Sequence, residues 1–355
     1  MKTIKCTNGA RLNLPMTQRL YCDFMKAVIF EKAGIENLGV KDVAMPDVGS
    51  HDVLVRVKAA GVNPVDSFAV SGRRPVKPMP HTPGSEFAGT VEDVGQHVVS
   101  IKKGDRVTVY SRIFDGFCDM CTSGNEMLCR NGGIFGLAVN GGYAEYVAVP
   151  ERNLFKIPDN VSWELAASLP VAALTSYHAL NEAQIRIGEY LVVFGASGNT
   201  GMFAVQLGKR LGATVIAITR REWLKDFGAD YTVTYENASQ QIKEMTGEKM
   251  ADVVLNSLGS ETWSTAVSVL GSRGRLIFFG TLTGGKVELD LDRMYNRQAR
   301  IIGTTGGTKR EMQELINTAR TLRMRVWKKF TLEKVVDAIG LLFSKERDGR
   351  ILLEL

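Results

Sequence analysis

The hydrophobic pattern of the chain changes character about halfway along. In the first half, apolar and polar residues alternate over short stretches. Residues 25–30 (MKAVIF) read as a first strand, and residues 52–59 (DVLVRVKA) put Val53, Val55 and Val57 on one face. Residues 87–94, 105–110 and 143–149 continue the series, with Gly and Pro turns between them. Period-2 segments at this spacing predict a mostly β, barrel-like module. After Pro158 the period lengthens. Residues 163–183 are rich in Ala and Leu and read as a helix interrupted by Pro170. Strands at 191–194, 214–219, 231–234, 252–258, 274–279 and 300–303 then alternate with helices at 203–211, 222–227, 239–245 and 261–270. That alternation predicts a parallel sheet with right-handed crossovers, so the fold class is α/β with a second, β-rich domain. Helices at 309–322 and 332–344 and a terminal strand at 351–355 close the chain.

The sharpest local signal lies at 191–213, LVVFGASGNTGMFAVQLGKRLGA. Its first residues are apolar without alternation, as in a parallel strand covered on both faces. Gly195, Gly198 and Gly201 follow, then a helix with Phe203, Ala204, Leu207 and Leu211 on one side. A strand, a glycine turn and a helix N-terminus in that order form a pyrophosphate site: the turn lets backbone approach the ligand and the helix offers N–H groups. Ser197, Asn199 and Thr200 complete the turn and are candidate cofactor contacts.

The chain has 355 residues, enough for two domains, at 45% hydrophobic and 23% charged. Its net charge of +6 is spread along the sequence. With no basic run interleaved with aromatics, nothing points to nucleic acid. No apolar run approaches the ~20 residues of a membrane helix. Residues 1–24 lack both a signal-peptide core and the periodicity of a packed element, and are expected to be an N-terminal extension. Of five cysteines, Cys6 and Cys22 fall in that extension and Cys118, Cys121 and Cys129 cluster. An odd, clustered set argues against a disulfide framework and for metal ligation in a reducing, cytoplasmic setting. His51, His81, His97 and His178 are isolated from one another and from any nucleophile.

Motifs within this frame bring the chain close to a known family. GVNPVD (61–66), TPGSEFAG (82–89), GDRV (104–107) and LPVAALTSYHAL (169–180) together resemble the quinone oxidoreductase-like branch of the medium-chain dehydrogenase/reductase superfamily. The resemblance covers nearly all of 25–355. It implies a GroES-like substrate domain from 25–172 and 303–355, and a Rossmann domain from 173–302 with the dinucleotide in the cleft between them. It implies a small-molecule substrate and a homo-oligomer.

Zinc alcohol dehydrogenases of this superfamily hold a catalytic zinc with a Cys, a His and a later Cys or acid. Asn63, Ser85 and Val171 stand at those places, with Glu86 beside the second. An amide, a hydroxyl and an isopropyl group do not replace thiolate and imidazole around Zn²⁺. The resemblance therefore implies a metal-free active site, and Val65 and Phe68 replace the alcohol proton relay. A second pattern, Asp115-x2-Cys118-x2-Cys121-x7-Cys129, has the spacing of the family's structural-zinc lobe with Asp115 at the first position. Four protein ligands close the coordination shell, so one structural zinc per chain is expected to hold a loop and do no chemistry.

At the end of the second parallel strand, Thr219 stands where NAD-specific sites carry an acid, and Arg220 and Arg221 follow. A hydroxyl and two guanidinium groups suit a 2′-phosphate, which predicts NADP(H). Thr175, Asn256, Leu258, Gly280, Thr281 and Arg350 are further cofactor contacts implied by position, Arg350 as the basic residue that meets phosphate. Without a Lewis acid, hydride transfer to an activated C=C bond or a quinone is easier than alcohol oxidation, with hydrogen bonds carrying the enolate charge. Asn63 is a candidate donor of such a bond, Tyr110 a candidate proton source, and Asp66 a further catalytic candidate; turn-stabilising hydrogen bonds are the competing reading of Asn63 and Asp66. Alternatives are a zinc-independent alcohol/aldehyde dehydrogenase, an enoyl-thioester reductase, and an NADPH-binding sensor or structural protein with little turnover.

Overall fold

The computed structural model describes residues 24–355. The expectations for the N-terminal extension, with Cys6 and Cys22, lie outside the described residues apart from Phe24.

Two large sheets organise the chain. The first is six-stranded and parallel throughout, in the spatial order Tyr231–Val233, Thr214–Ile218, Tyr190–Phe194, Ala251–Asn256, Leu270–Phe278, Arg300–Gly303. In chain order this is 3-2-1-4-5-6, so the direction of winding reverses between the first and fourth strands, where open α/β sheets take their ligands. Leu191, Val192, Val193 and Phe194 are at most 1% exposed, as a strand covered on both faces must be. The helix Gly201–Arg210 lies against this sheet and buries every residue from Gly201 to Gly208; Leu211, expected on its apolar side, caps the helix and is 40% exposed.

The second sheet runs Val326–Phe330, Arg350–Glu354, Asp52–Gly61, Phe87–Val94, Arg106–Val109, Leu154–Lys156, with Tyr146–Pro150 also paired to Asp52–Gly61. All its pairings are antiparallel except the first. Val53, Val55 and Val57 point into its core as the alternation predicts. A hairpin of Phe24–Ile29 with Gly39–Ala44 flanks it. The chain returns to this sheet at Val326–Phe330. The helix Lys309–Thr318, which falls within the expected barrel segment, instead sends Met312, Leu315 and Ile316 into the same core as the helix Leu174–Glu182 and the parallel sheet.

The region around Pro170 joins the two halves. Helix Trp163–Ser168 passes into a wide turn at Leu169–Ala173, where the Leu174 N–H reaches back five residues to the Leu169 carbonyl, and helix Leu174–Glu182 continues. Pro170 has no N–H to give, and the next two N–H groups leave the helix altogether. Val171 N and Ala172 N donate to Glu86 Oε2 at 3.0 and 3.1 Å. A side chain inserted into the helical ladder is a sufficient cause of such a bulge.

The glycine turn is tightly closed. Gly195 has φ +68°, and a Cβ at Gly201 would lie 2.2 Å from the Gly195 carbonyl oxygen and 2.6 Å from Ala196 Cα. Gly201→Ala therefore has to displace backbone. It is expected to cost about 1–3 kcal/mol, read as a lowered urea midpoint. Gly198→Ala, whose Cβ meets its nearest atom at 3.0 Å, is expected to cost less.

Candidate active site and metal centre

The cleft side of the barrel is built on Glu86. Its carboxylate is 0% exposed and receives four donors: Asn63 Nδ2 at 2.8 Å, an Arg350 guanidinium nitrogen, and the N–H groups of Val171 and Ala172. Arg350 is also 0% exposed and donates a second bond to Asn63 Oδ1 at 3.0 Å. An ion pair this deep persists because both charges are neutralised and hydrogen-bonded together. Arg350, expected at cofactor phosphate, is thus spent inside the barrel.

Asn63 caps the helix Pro64–Val70, and Asp66 reaches back to the Asn63 N–H at 2.9 Å. Asp66 also accepts from Ser85 N at 2.8 Å and Tyr143 Oη at 3.0 Å. Burial pushes its carboxyl up to about 6, against the pull of those donors. The Ser85 hydroxyl lies beside the same carboxylate. Asn63 is 2% exposed, and its oxygen also accepts from Asn199 Nδ2 at 2.9 Å. Asn63 and Asp66 are therefore placed as struts, the competing reading of both. Tyr110 does not fit the role of proton source. It is 0% exposed among Phe114 and Phe155, and its hydroxyl donates to the Gly307 carbonyl at 2.7 Å. Burial drives its pKa above the ordinary phenol value, away from proton exchange near neutrality.

On the other wall, the glycine turn Gly195–Gly201 carries Ser197 and Thr200 half-buried, and the Thr200 carbonyl is held by Ser176 Oγ at 2.8 Å. Asn199 is buried and bridges the domains, donating to the Val62 carbonyl at 2.9 Å as well as to Asn63. Arg347, unmarked in the sequence reading, donates to Asn199 Oδ1 at 3.0 Å and lies beside Gly198. Burial and the neighbouring Arg350 lower its pKa to about 10. Tyr235, also unmarked, accepts from the Gly195 N–H at 3.1 Å, which leaves its own proton free among the described residues. Its local signal is slight: a lone aromatic two residues past the third parallel strand.

Thr219 is buried, and its hydroxyl accepts from the Arg221 N–H at 3.0 Å. The Arg220 side chain is 76% exposed and pairs with Glu236 at 3.0 Å. Arg221 turns away, towards the carbonyls of Glu346 and Arg347 and the Asp348 carboxylate. Asn256 is 0% exposed and caps its own turn, accepting from the N–H groups of Leu258 and Gly259. Leu258 is half-buried and Thr175 buried, while Thr281 is exposed just past Gly280, whose missing Cβ admits the Ser257 carbonyl.

Away from the cleft, one oxygen of Asp115 and the sulfurs of Cys118, Cys121 and Cys129 all lie within 4.8 Å of one another. Cys118 and Cys129 Sγ are 3.8 Å apart. Zn–S bonds of about 2.3 Å at tetrahedral angles require an edge of about 3.8 Å. The Asp115 carboxyl is held well below the ordinary range by the Cys118 N–H, the Phe117 N–H and the Asn131 amide, so it is ready to ligate as the anion. The donor set fits zinc. Asn63, Ser85 and Val171 offer no thiolate, imidazole or carboxylate, and Glu86 beside them is consumed.

Arg350→Met leaves the Glu86 charge buried without its counter-ion. The expected loss is about 3–5 kcal/mol in urea unfolding. The Glu86→Gln, Arg350→Met double variant is expected to recover part of it, because no charge is then left in the interior.

Comparison with known proteins agrees with this architecture. Residues 49–159 match the family model for the alcohol dehydrogenase GroES-like domain, and residues 200–321 match that for the zinc-binding dehydrogenases. An alcohol dehydrogenase of Geobacillus stearothermophilus is 34% identical over 93% of this chain and 99% of its own. The human quinone oxidoreductase is 31% identical over 88% of this chain and 92% of its own. A solved structure of a cobalt- and zinc-bound thermostable alcohol dehydrogenase from Pyrobaculum aerophilum superposes with a TM-score of 0.88 at 39% identity, covering 94% of this chain and all of that one. The chain belongs to the medium-chain dehydrogenase/reductase superfamily and is an oxidoreductase with a GroES-like domain and an NAD(P)-binding Rossmann-type domain.

Proposed function

We propose that this protein is an NADPH-dependent reductase of activated C=C bonds or quinones that works without a catalytic metal and carries one structural zinc. The observation that supports this most is the fate of the three positions where a catalytic zinc would bind. Asn63 is tied into the Glu86–Arg350 network, Ser85 borders Asp66, and Val171 gives only its N–H to Glu86. None is a zinc ligand by chemistry. When bound, the reduced nicotinamide supplies the hydride. The chain's own part is to hold the two walls of the cleft in register through Asn199 and Asn63, and to keep the barrel wall rigid through Glu86. Two-electron reduction of an enone then places hydride on the β-carbon and a solvent-derived proton on the α-carbon, with cleft hydrogen-bond donors carrying the charge on oxygen.

The 2′-phosphate reading rests on Thr219, the exposed Arg220 guanidinium and the Tyr235 hydroxyl, which has a proton to donate. Arg221 serves chiefly to hold the segment 344–349. The metal lobe is assigned to Asp115, Cys118, Cys121 and Cys129, with a structural role only. A homo-oligomer fits the free edge of the parallel sheet at Arg300–Gly303, which pairs with one strand only among the described residues and lies in a region with Leu291 and Tyr295 exposed. Interconversion of alcohols and aldehydes is the second reading, favoured by the names of two relatives.

NADPH oxidation on an enone and quinone panel, against NADP⁺ reduction on an alcohol panel, tests the reaction on metal-quantified protein. Turnover on the first panel with about one zinc per chain is expected. Turnover confined to the second, or two zinc ions per chain, overturns the proposal. Chelation is expected to lower Tm and to spare single-turnover hydride transfer. Arg220→Glu is expected to raise KM for NADPH by about tenfold or more and to leave KM for NADH within about threefold. Arg221→Glu is expected to affect both, because it loosens 344–349. Equal effects of Arg220→Glu on the two cofactors overturn the assignment.

A further inference from the structure

Two arginines of the barrel cross to the nucleotide-binding domain at one end of the cleft. Arg112, on the short strand Arg112–Ile113, donates to Thr305 Oγ1 at 2.7 Å, just past the sixth parallel strand. Arg73, beyond the helix Pro64–Val70, stacks on the Phe68 ring at 4.2 Å and donates to the Thr281 carbonyl at 2.9 Å, just past the fifth. The glycine turn at the end of the first strand marks the pyrophosphate, so the carboxyl ends of the fifth and sixth strands mark the nicotinamide half, where the acceptor must lie.

Neither arginine has a carboxylate partner among the described residues. Of the acids around Tyr110, Glu311 is taken by His178, Asn181 and Thr308, while Glu126 accepts from the Lys309 N–H through Oε1 and its Oε2 has no hydrogen-bond partner among the described residues. Arg112 is half-buried, and that burial lowers its pKa. Its guanidinium occupies the space a side chain at Gly306 would need, since a Cβ there would lie 2.7 Å from Arg112 Nε; Gly306 has φ +63°. In the same turn the Thr304 hydroxyl is buried with no partner among the described residues. A half-buried guanidinium whose side-chain partner is a single hydroxyl keeps its remaining N–H groups for a ligand. This differs from Arg350, whose charge is matched within the fold.

We propose that Arg112, with Arg73 nearer the solvent, binds an anionic group on the acceptor, so that the preferred substrates are α,β-unsaturated compounds carrying a carboxylate or phosphate. This rests on the reductase reading and names its substrate class. A carboxylate takes two parallel N–H bonds from a guanidinium and replaces the single bond to Thr305. Phosphate offers the same chemistry, as on the carrier of an enoyl thioester.

The test compares charged and neutral acceptors with the same reacting atoms. 4-Oxopent-2-enoate is set against its methyl ester, and crotonyl-coenzyme A against the N-acetylcysteamine thioester. Wild type is expected to favour the charged member of at least one pair by about tenfold or more in kcat/KM. A preference in the first pair assigns the carboxylate, and one in the second the phosphate. Arg112→Gln is expected to reduce that preference to within about threefold, chiefly through KM for the acceptor, and Arg112→Lys to restore part of it. No charge preference in wild type, a preference unchanged in Arg112→Gln, or a rise in KM for NADPH alone overturns the proposal. The wild-type comparison stands even if the variants do not fold. Should neither member of either pair turn over, quenching of bound NADPH fluorescence by 4-oxopent-2-enoate and not by its ester still supports the anion site, while the reductase reading falls. Equal or absent quenching by the two overturns the anion site as well.

Discussion

A single fully buried carboxylate governs how the two halves of this protein meet. Glu86 takes its four donors from three separate parts of the chain: the cap of the first barrel helix, the terminal strand, and the turn that leads into the nucleotide-binding half. A bare charge at that depth would cost several kcal/mol, so the fold is stable only when all three parts are in place. The bulge at Leu169–Ala173 is the geometric result. Two N–H groups that an uninterrupted helix would keep are given to Glu86 where the chain passes from barrel to parallel sheet.

The same constraint accounts for what Asn63 does in the fold. Asn63 stands at a metal-ligand position of the family, yet both ends of its amide face inward, one to Glu86 and one to Arg350 and Asn199. The position has become a junction between domains. The cysteine lobe, some distance along the chain, brings a complete donor set together at the spacing of a tetrahedron.

What the amino-acid order revealed is what is encoded locally. The glycine turn was legible because strand, turn and helix follow one another within a few residues, and the cysteine lobe because its four ligands fall within fifteen. The roles of Asn63 and Arg350 were not, since the Asn63 partners lie 23, 136 and 287 residues away. Tyr110 misled for the same reason: its place at a strand end suggested a cleft, while the acceptor of its hydroxyl is 197 residues distant. The strand Val326–Phe330, WKK flanked by Val and Phe, shows no alternation, because it is an edge strand with two exposed lysines. Arg73 and Arg112 are unremarkable among 44 basic residues until the structure shows that they reach Thr281 and Thr305 beside the ends of two parallel strands.

The Asn199 amide ties the glycine turn to the opposite wall. It belongs to the glycine turn but donates into the barrel, to the Val62 carbonyl and Asn63. Swinging the walls apart must break both bonds, and with them slackens one side of that turn. Loosening of the turn and parting of the walls are thereby one event, with a single asparagine as the latch.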